Sequence, residues 1–316
     1  MHVAISPYHL TTREAAAMAS LLLAERAVTM LPRPGGGNGA ANGSRSRFVD
    51  AASEVPRYLE VMEHWQWSMP LFREGVVQAF WEGEDAAEDV RRVCGRIESD
   101  ESLRDLRPLM KVDLFEDERA YLDAIARDLL KGGPDPALTV PVAAGMDRFA
   151  TRHELVVARS AATSVAQKAE ARMGTRLFAV AVPVLVQASA DRLLEARELL
   201  LDPLEQLRMS LADVFDQARL GEPFDASFVR SAAAEYEAAF EVERDVLLEP
   251  EEDEFEPRVL SGMVSITGMT MPVDAVLRSS LEAVRVMRGE PGVRGAVAAG
   301  GPGEVCTSIV VKVLGR

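Results

Sequence analysis

Apolar positions recur along this chain with two different periods, and the changes from one period to the other mark its elements. Short continuous apolar runs read as buried strands: "VAI" at 3–5, "AVTML" at 27–31, "LVVARS" at 155–160, "RLFAVAVPVLVQ" at 176–187, "VLSGMVSITGM" at 259–269 and "VCTSIVVKVL" at 305–314. A shorter run, Val76–Phe80, adds a small strand. Pro183 cannot donate to a ladder, so it places the second half of its strand at an edge or a bulge.

Between these runs the spacing becomes helical. Thr11 and Glu14 form a capping box for a helix over 12–26, with Ala15, Met18, Leu21 and Leu22 on one apolar face. Strand, helix and strand in this compass make a βαβ unit, which implies parallel strands. Further helices are expected over 55–67, 85–97, 116–130, 142–153 and 164–174. Ser189 caps the longest helical stretch, whose Leu193, Leu200, Leu204, Leu207, Leu211 and Val214 make an apolar seam. Pro203 lies inside that stretch and should kink or restart it. After a turn at 221–223, Asp225 caps a second long helix with Phe228, Ala232, Tyr236, Ala239, Phe240 and Leu247 facing inward. The two make an αα-hairpin over 189–248.

The fold class is therefore mixed α/β and helix-rich, a partly parallel sheet flanked by helices with one long αα-hairpin. Residues 1–316 are expected to form a single domain. Three stretches depart from the pattern. "GGGNGAANGSRSR" at 35–47 reads as a flexible glycine-rich loop. It is no dinucleotide fingerprint, because Asn42 stands at the third glycine position and prolines separate it from the strand. "EPEEDEFEP" at 249–257 reads as an acidic linker. Residues 258–316 then read as a strand–helix–strand segment.

Charge narrows the choice of partners. With 35 basic and 50 acidic residues the chain carries −15, which repels a phosphate backbone, so no nucleic-acid partner is expected. The apolar run from Leu177 to Val186 is too short to span a bilayer, and no signal peptide is evident, so no membrane partner and a cytoplasmic location are expected. Lysine is nearly absent and arginine carries almost all positive charge, a composition suggestive of a high-GC bacterial genome. Cys94 and Cys306 are the only cysteines and read as buried, reduced thiols.

Little of the remaining sequence points to chemistry. His2, His64 and His153 lack the spacing of a zinc site, and Asp113, Glu116, Asp117 and Asp123 match no calcium loop, so neither metal nor cofactor is expected. Trp65, Trp67 and Trp81, like Met263, Met269 and Met271, read first as core. One corner stands out. Ser6, Pro7, Tyr8 and His9 follow the first strand and precede the first helix, where α/β proteins place their ligands. There His9 is a candidate acid–base group, Ser6 and Tyr8 are candidate donors, and Arg148 or Arg159 converging on them would make a site. Two readings follow. In the first, the absence of a catalytic signature beside a long leucine seam indicates a scaffold or regulatory protein rather than an enzyme, acting through a protein partner or self-association of the hairpin. In the second, the chain is an enzyme or small-molecule binder with its site at Ser6, Tyr8 and His9.

Overall fold

The computed structural model describes residues 1–5, 10, 13, 15–29, 60, 66–79, 86–109, 144–146, 148–150, 152–160, 176–185, 188–219, 222, 225–249, 262–267, 277, 281, 285 and 307–314. Among the described residues seven strands form one sheet: β1 (His2–Ile5), β2 (Arg26–Thr29), β3 (Val77–Ala79), β4 (Val156–Ser160), β5 (Arg176–Pro183), β6 (Gly262–Thr267) and β7 (Thr307–Leu314). Their order is β3-β2-β1-β4-β6-β7-β5. The four strands β3, β2, β1 and β4 are mutually parallel. β6 runs antiparallel to both of its neighbours, and β7 and β5 are again parallel to each other. The partly parallel sheet expected from the sequence is thus present, with β1 and β2 parallel as a βαβ unit requires. β5 lies at one edge, and Pro183 is its last residue, where no ladder N–H is missed.

The helix joining β1 to β2 is α1 (Ala15–Leu23). Its expected single apolar face is too modest. Ala17, Met18, Ala19, Ser20, Leu21, Leu22 and Leu23 are all buried, so the helix is enclosed on every side. The reason is its position: it packs on β1, β2, β4 and β6, and the hairpin helix α4 (Ala190–Leu199) covers it from outside. A helix apolar all round is a buried helix. The capping-box residues Thr11 and Glu14 lie outside the described residues, as do the loop at 35–47 and residues 250–257 of the acidic stretch.

Two short elements were not legible in sequence. α2 (Met69–Arg73) starts with Pro70 in its first turn, and a 3₁₀ helix occupies Glu101–Leu109, directly after α3 (Ala86–Ser99). The five residues of α2 are too few for apolar periodicity to register, and the 3₁₀ segment repeats every three residues rather than at the α-helical spacing.

The hairpin follows the sequence closely. Ser189 Oγ accepts the Arg192 amide (3.0 Å), Asp225 Oδ1 accepts the Ser227 amide (2.8 Å), and each caps its helix. α4 stops at Leu199, and α5 (Leu201–Arg219) restarts with Pro203 in its first turn, where the missing N–H has no helical partner to lose. α6 (Ala226–Leu247) packs on α5 and on β5. All six seam residues are buried. Tyr236 Oη, at the centre of α6, donates to the Pro183 carbonyl (2.9 Å) and so ties the hairpin to the edge strand. One inward assignment is corrected: Phe228 is 72% exposed, and its neighbour Val229 enters the core instead. Steps of four residues drift by about 40° per step on a 3.6-residue helix, so Phe228 and Phe240 cannot share a face. In the C-terminal segment residues 277, 281 and 285 are helical between β6 and β7.

Candidate functional site

Three of the four parallel strands, β1, β2 and β3, finish level along one edge. Ile5 pairs with Thr29, and Thr29 with Ala79, while β4 runs on through Arg159 and Ser160. From this edge the chain leaving β1 returns on one side, to β2. The chain leaving β4 goes on to β5 at the far edge of the other side. Connections diverging from two adjacent parallel strands leave a crevice between them, and that switch point is where open α/β sheets hold ligands.

The corner residues singled out from the sequence, Ser6, Tyr8 and His9, follow β1 in the chain at this switch point; they lie outside the described residues. Both flanks of the corner are described. Ile5 and Leu10 are fully buried. Arg13 adopts the left-handed region at φ 49°, donates its amide to the Leu10 carbonyl (3.4 Å) and sets its guanidinium 4.6 Å over the Trp67 ring. A non-glycine residue there stores about 1 kcal/mol of strain, and the cation–π contact offsets part of it. The turn into α1 is thereby pinned to the segment that starts α2.

Two buried polar atoms of this region have no hydrogen-bond partner: Thr29 Oγ1, on the last residue of β2, and Trp67 Nε1. Burying an unpaired hydroxyl costs about 1–3 kcal/mol in proteins. Replacing Thr29 with valine keeps the shape and removes that cost, so Thr29→Val is expected to stabilise the fold by about 1 kcal/mol in urea titration. A loss of stability would mean that the hydroxyl is satisfied in the folded protein. Sequence reading passed over Thr29, since one threonine in an apolar run carries no signal until its register and burial are known.

The two arginines considered as converging groups are placed differently. Arg148 Nε donates to Asp89 Oδ1 (2.9 Å) and Arg152 Nη2 to Asp89 Oδ2 (2.6 Å). Burial pushes the Asp89 carboxyl above its usual range, with both guanidiniums pulling the other way. Residues 144–146 and 148–150, which are helical, approach α3 so closely that a Cβ on Gly145 would lie 2.6 Å from Val90 Cγ2. The triad therefore clamps a tight helix contact, and Arg148 serves packing. Arg159 sits on β4 opposite Ser265, on the strand that borders the switch point; its side chain is outside the described residues.

The remaining candidates fall away from the edge. His2 Nε2 is 3.5 Å from Glu25 Oε2 near the opposite, amino end of β1, and burial lowers its pKa. The His153 ring stacks against Phe149 at 4.6 Å. Cys94 is buried and its thiol is pushed up to about 12, which makes it inert as a nucleophile. His64, Trp65, Trp81, Cys306, Asp113, Glu116, Asp117 and Asp123 lie outside the described residues. Among the described residues no group of three His, Cys, Asp or Glu is arranged to hold a metal, and no helix is long and apolar enough to cross a membrane.

A second polar cluster escaped the sequence reading altogether. The C-terminal carbonyls of the enclosed helix α1 are met by two arginines from the hairpin. Arg197 Nη1 donates to Leu21 O (2.7 Å), Leu22 O (3.2 Å) and Ala24 O (2.7 Å), and its Nη2 to Glu25 O (3.2 Å). Arg208 Nε donates to Leu23 O (2.9 Å) and its Nη2 to Leu22 O (3.1 Å). Burial lowers both guanidinium pKa values, Arg197 to about 10. The last carbonyls of a helix lack partners and carry the negative end of its dipole, so two cations there satisfy them and complement the field. The signal was present: Leu193, Arg197, Leu200, Leu204, Arg208 and Leu211 follow one 3–4 spacing, with arginine at two positions of an apolar seam. No protein-family model, no curated protein and no solved structure matches the chain.

Proposed function

We propose that this chain binds a small ligand at the carboxyl edge of its parallel strands, in the crevice between β1 and β4. The observation that carries this reading is the strand order, which makes β1 and β4 the one adjacent pair of parallel strands in β3-β2-β1-β4 whose outgoing connections diverge. Three further facts support it. The chain directly after β1 supplies a hydroxyl, a phenol and an imidazole in four residues, Ser6 to His9. The corner is held at both ends by buried Ile5 and Leu10. The adjoining strand ends on an unsatisfied buried hydroxyl, Thr29 Oγ1.

The seam leucines Leu200, Leu204, Leu207 and Leu211 are buried within the fold, so a partner bound at the hairpin, the other reading of the sequence, would meet its outer faces rather than the seam.

The test is a thermal-shift screen of nucleotides, sugar phosphates, amino acids and carboxylic acids, repeated on the variant Ser6→Ala/Tyr8→Phe/His9→Ala. A ligand at about 100 times its Kd stabilises the folded state by about 2.7 kcal/mol. The reading expects compounds that raise the melting temperature of the natural chain and lose that effect in the variant. Compounds that stabilise both proteins equally place the site elsewhere and overturn it.

A further inference from the structure

Two buried polar atoms without a hydrogen-bond partner, Thr29 Oγ1 and Trp67 Nε1, belong to the same end of the sheet. Strand register decides which face Thr29 takes. Paired positions of neighbouring strands share a face, and successive positions along a strand alternate. Thr29 pairs with Ile5, two residues beyond Val3, which pairs with Val156. From position 158 the same face runs through the pairs Ala158–Ile266, Ile266–Ile309 and Ile309–Phe178 to β5, where Val180 and Val182 stand on it. Those two valines are buried and Ala181 between them is half-buried, so theirs is the face on which α6 packs. α4 touches α6, α1 and α2, so these four helices make one layer. The Thr29 hydroxyl therefore rises from the last residue of β2 into the layer that holds α1 and α2.

Arg13 and Trp67 meet at the same end of that layer. Arg13 precedes α1, on the carboxyl side of β1. α2 doubles back on β3 through the turn at Gly75, where the Val76 amide donates to the Leu71 carbonyl (2.9 Å). The amino end of α2, with Trp67 just before it, thus lies toward the carboxyl edge. The Arg13 guanidinium, 4.6 Å over the Trp67 ring, joins the two helix starts.

All three groups can donate. The indole N–H donates only, the hydroxyl donates or accepts, and the guanidinium adds a positive charge. A buried donor without an acceptor carries a cost that a bound acceptor removes. The nine-residue α1 also turns the positive end of its dipole toward this edge. The net charge of −15 repels an anion at a distance, so only local donors of this kind could select one.

We propose that the ligand of the carboxyl edge is an anion, held by a carboxylate or phosphate group that accepts from Thr29 Oγ1 and Trp67 Nε1 and pairs with Arg13. This rests on the reading of the edge as a ligand site and adds the charge of the ligand and the residues that select it.

Heteronuclear NMR of the full chain tests it on the Trp67 indole N–H, assigned by its loss in Trp67→Phe. Malonate and methyl phosphate are titrated against their uncharged counterparts, malonamide and trimethyl phosphate, at constant ionic strength. At least one anion is expected to shift the signal to saturation, and which one does so tells carboxylate from phosphate. Its uncharged counterpart is expected to bind at least about tenfold more weakly. Thr29→Val and Arg13→Gln are each expected to weaken the anion about tenfold, with Arg13→Lys recovering part of the loss. Should Arg13→Gln fail to fold, Thr29→Val decides, because valine suits a buried position. Uncharged fragments that move the Trp67 signal as strongly as the anions overturn the inference and leave the ligand site standing. A signal that neither anion moves overturns it too. A shift that neither Thr29→Val nor Arg13→Gln weakens marks an adventitious ion only, and likewise overturns it.

Discussion

Replacing Arg197 with methionine is expected to cost on the order of 4 kcal/mol, a large part of the roughly 5–15 kcal/mol that holds an ordinary domain together. The guanidinium serves four carbonyls at the end of a buried helix, three of them part-buried and the last, Glu25 O, exposed. Methionine fills much of the same volume and donates nothing. The cost is therefore that of stranded acceptors, about 1–3 kcal/mol for each one left unpaired, reduced where Arg208 still reaches Leu22 O. Arg197→Lys is expected to recover less than half of the loss, because one ammonium cannot reproduce a planar fork that spans carbonyls from Leu21 to Glu25. Urea titration of the three proteins decides the matter. A methionine variant as stable as the natural chain would mean that the clamp contributes nothing.

Leu207→Ala is the second large effect, at about 2–5 kcal/mol, the range for deleting a buried leucine side chain. Leu207 is fully buried in α5, next to α6. The hairpin lies against the sheet, with α6 on β5 and α4 over α1. Its seam is thus intramolecular, and the melting temperatures of both natural chain and variant should stay constant over about a hundredfold dilution. Stability that falls with dilution in the natural chain, and less so in the variant, would show that the seam joins two chains.

Seven apolar runs read from sequence correspond to seven strands, because a buried strand needs a short continuous apolar segment and has little other freedom. The hairpin was legible for a different reason. Ser189, Pro203 and Asp225 act locally, so their effect is visible without knowing the partner surfaces. What depends on packing was not legible. α1 looked one-sided until α4 was found lying over it, and Phe228 looked inward because four-residue steps imitate a helical face over one turn and fail over three. Strand order was likewise beyond the sequence, since β4 reaches its place beside β1 across more than a hundred residues of chain. The candidate site shares this split. Ser6, Tyr8 and His9 were singled out by their place after the first strand and lie outside the described residues. Thr29 was not, because its interest lies in a missing partner, and the arginine clamp was hidden by the leucines around it.

The central claim is that the crevice between β1 and β4 takes a small ligand, and fragment mapping by NMR tests it most directly. Small fragments gather where a site can bury them, whatever the natural ligand is. Trp67 supplies a local reporter through its indole N–H, and Thr29 and Arg13 through their amides. Chemically unrelated fragments are expected to shift these three signals together and to leave the Arg197 and Arg208 amides, at the other end of α1, unmoved. Fragments that collect elsewhere, with Thr29, Trp67 and Arg13 undisturbed, would contradict the account.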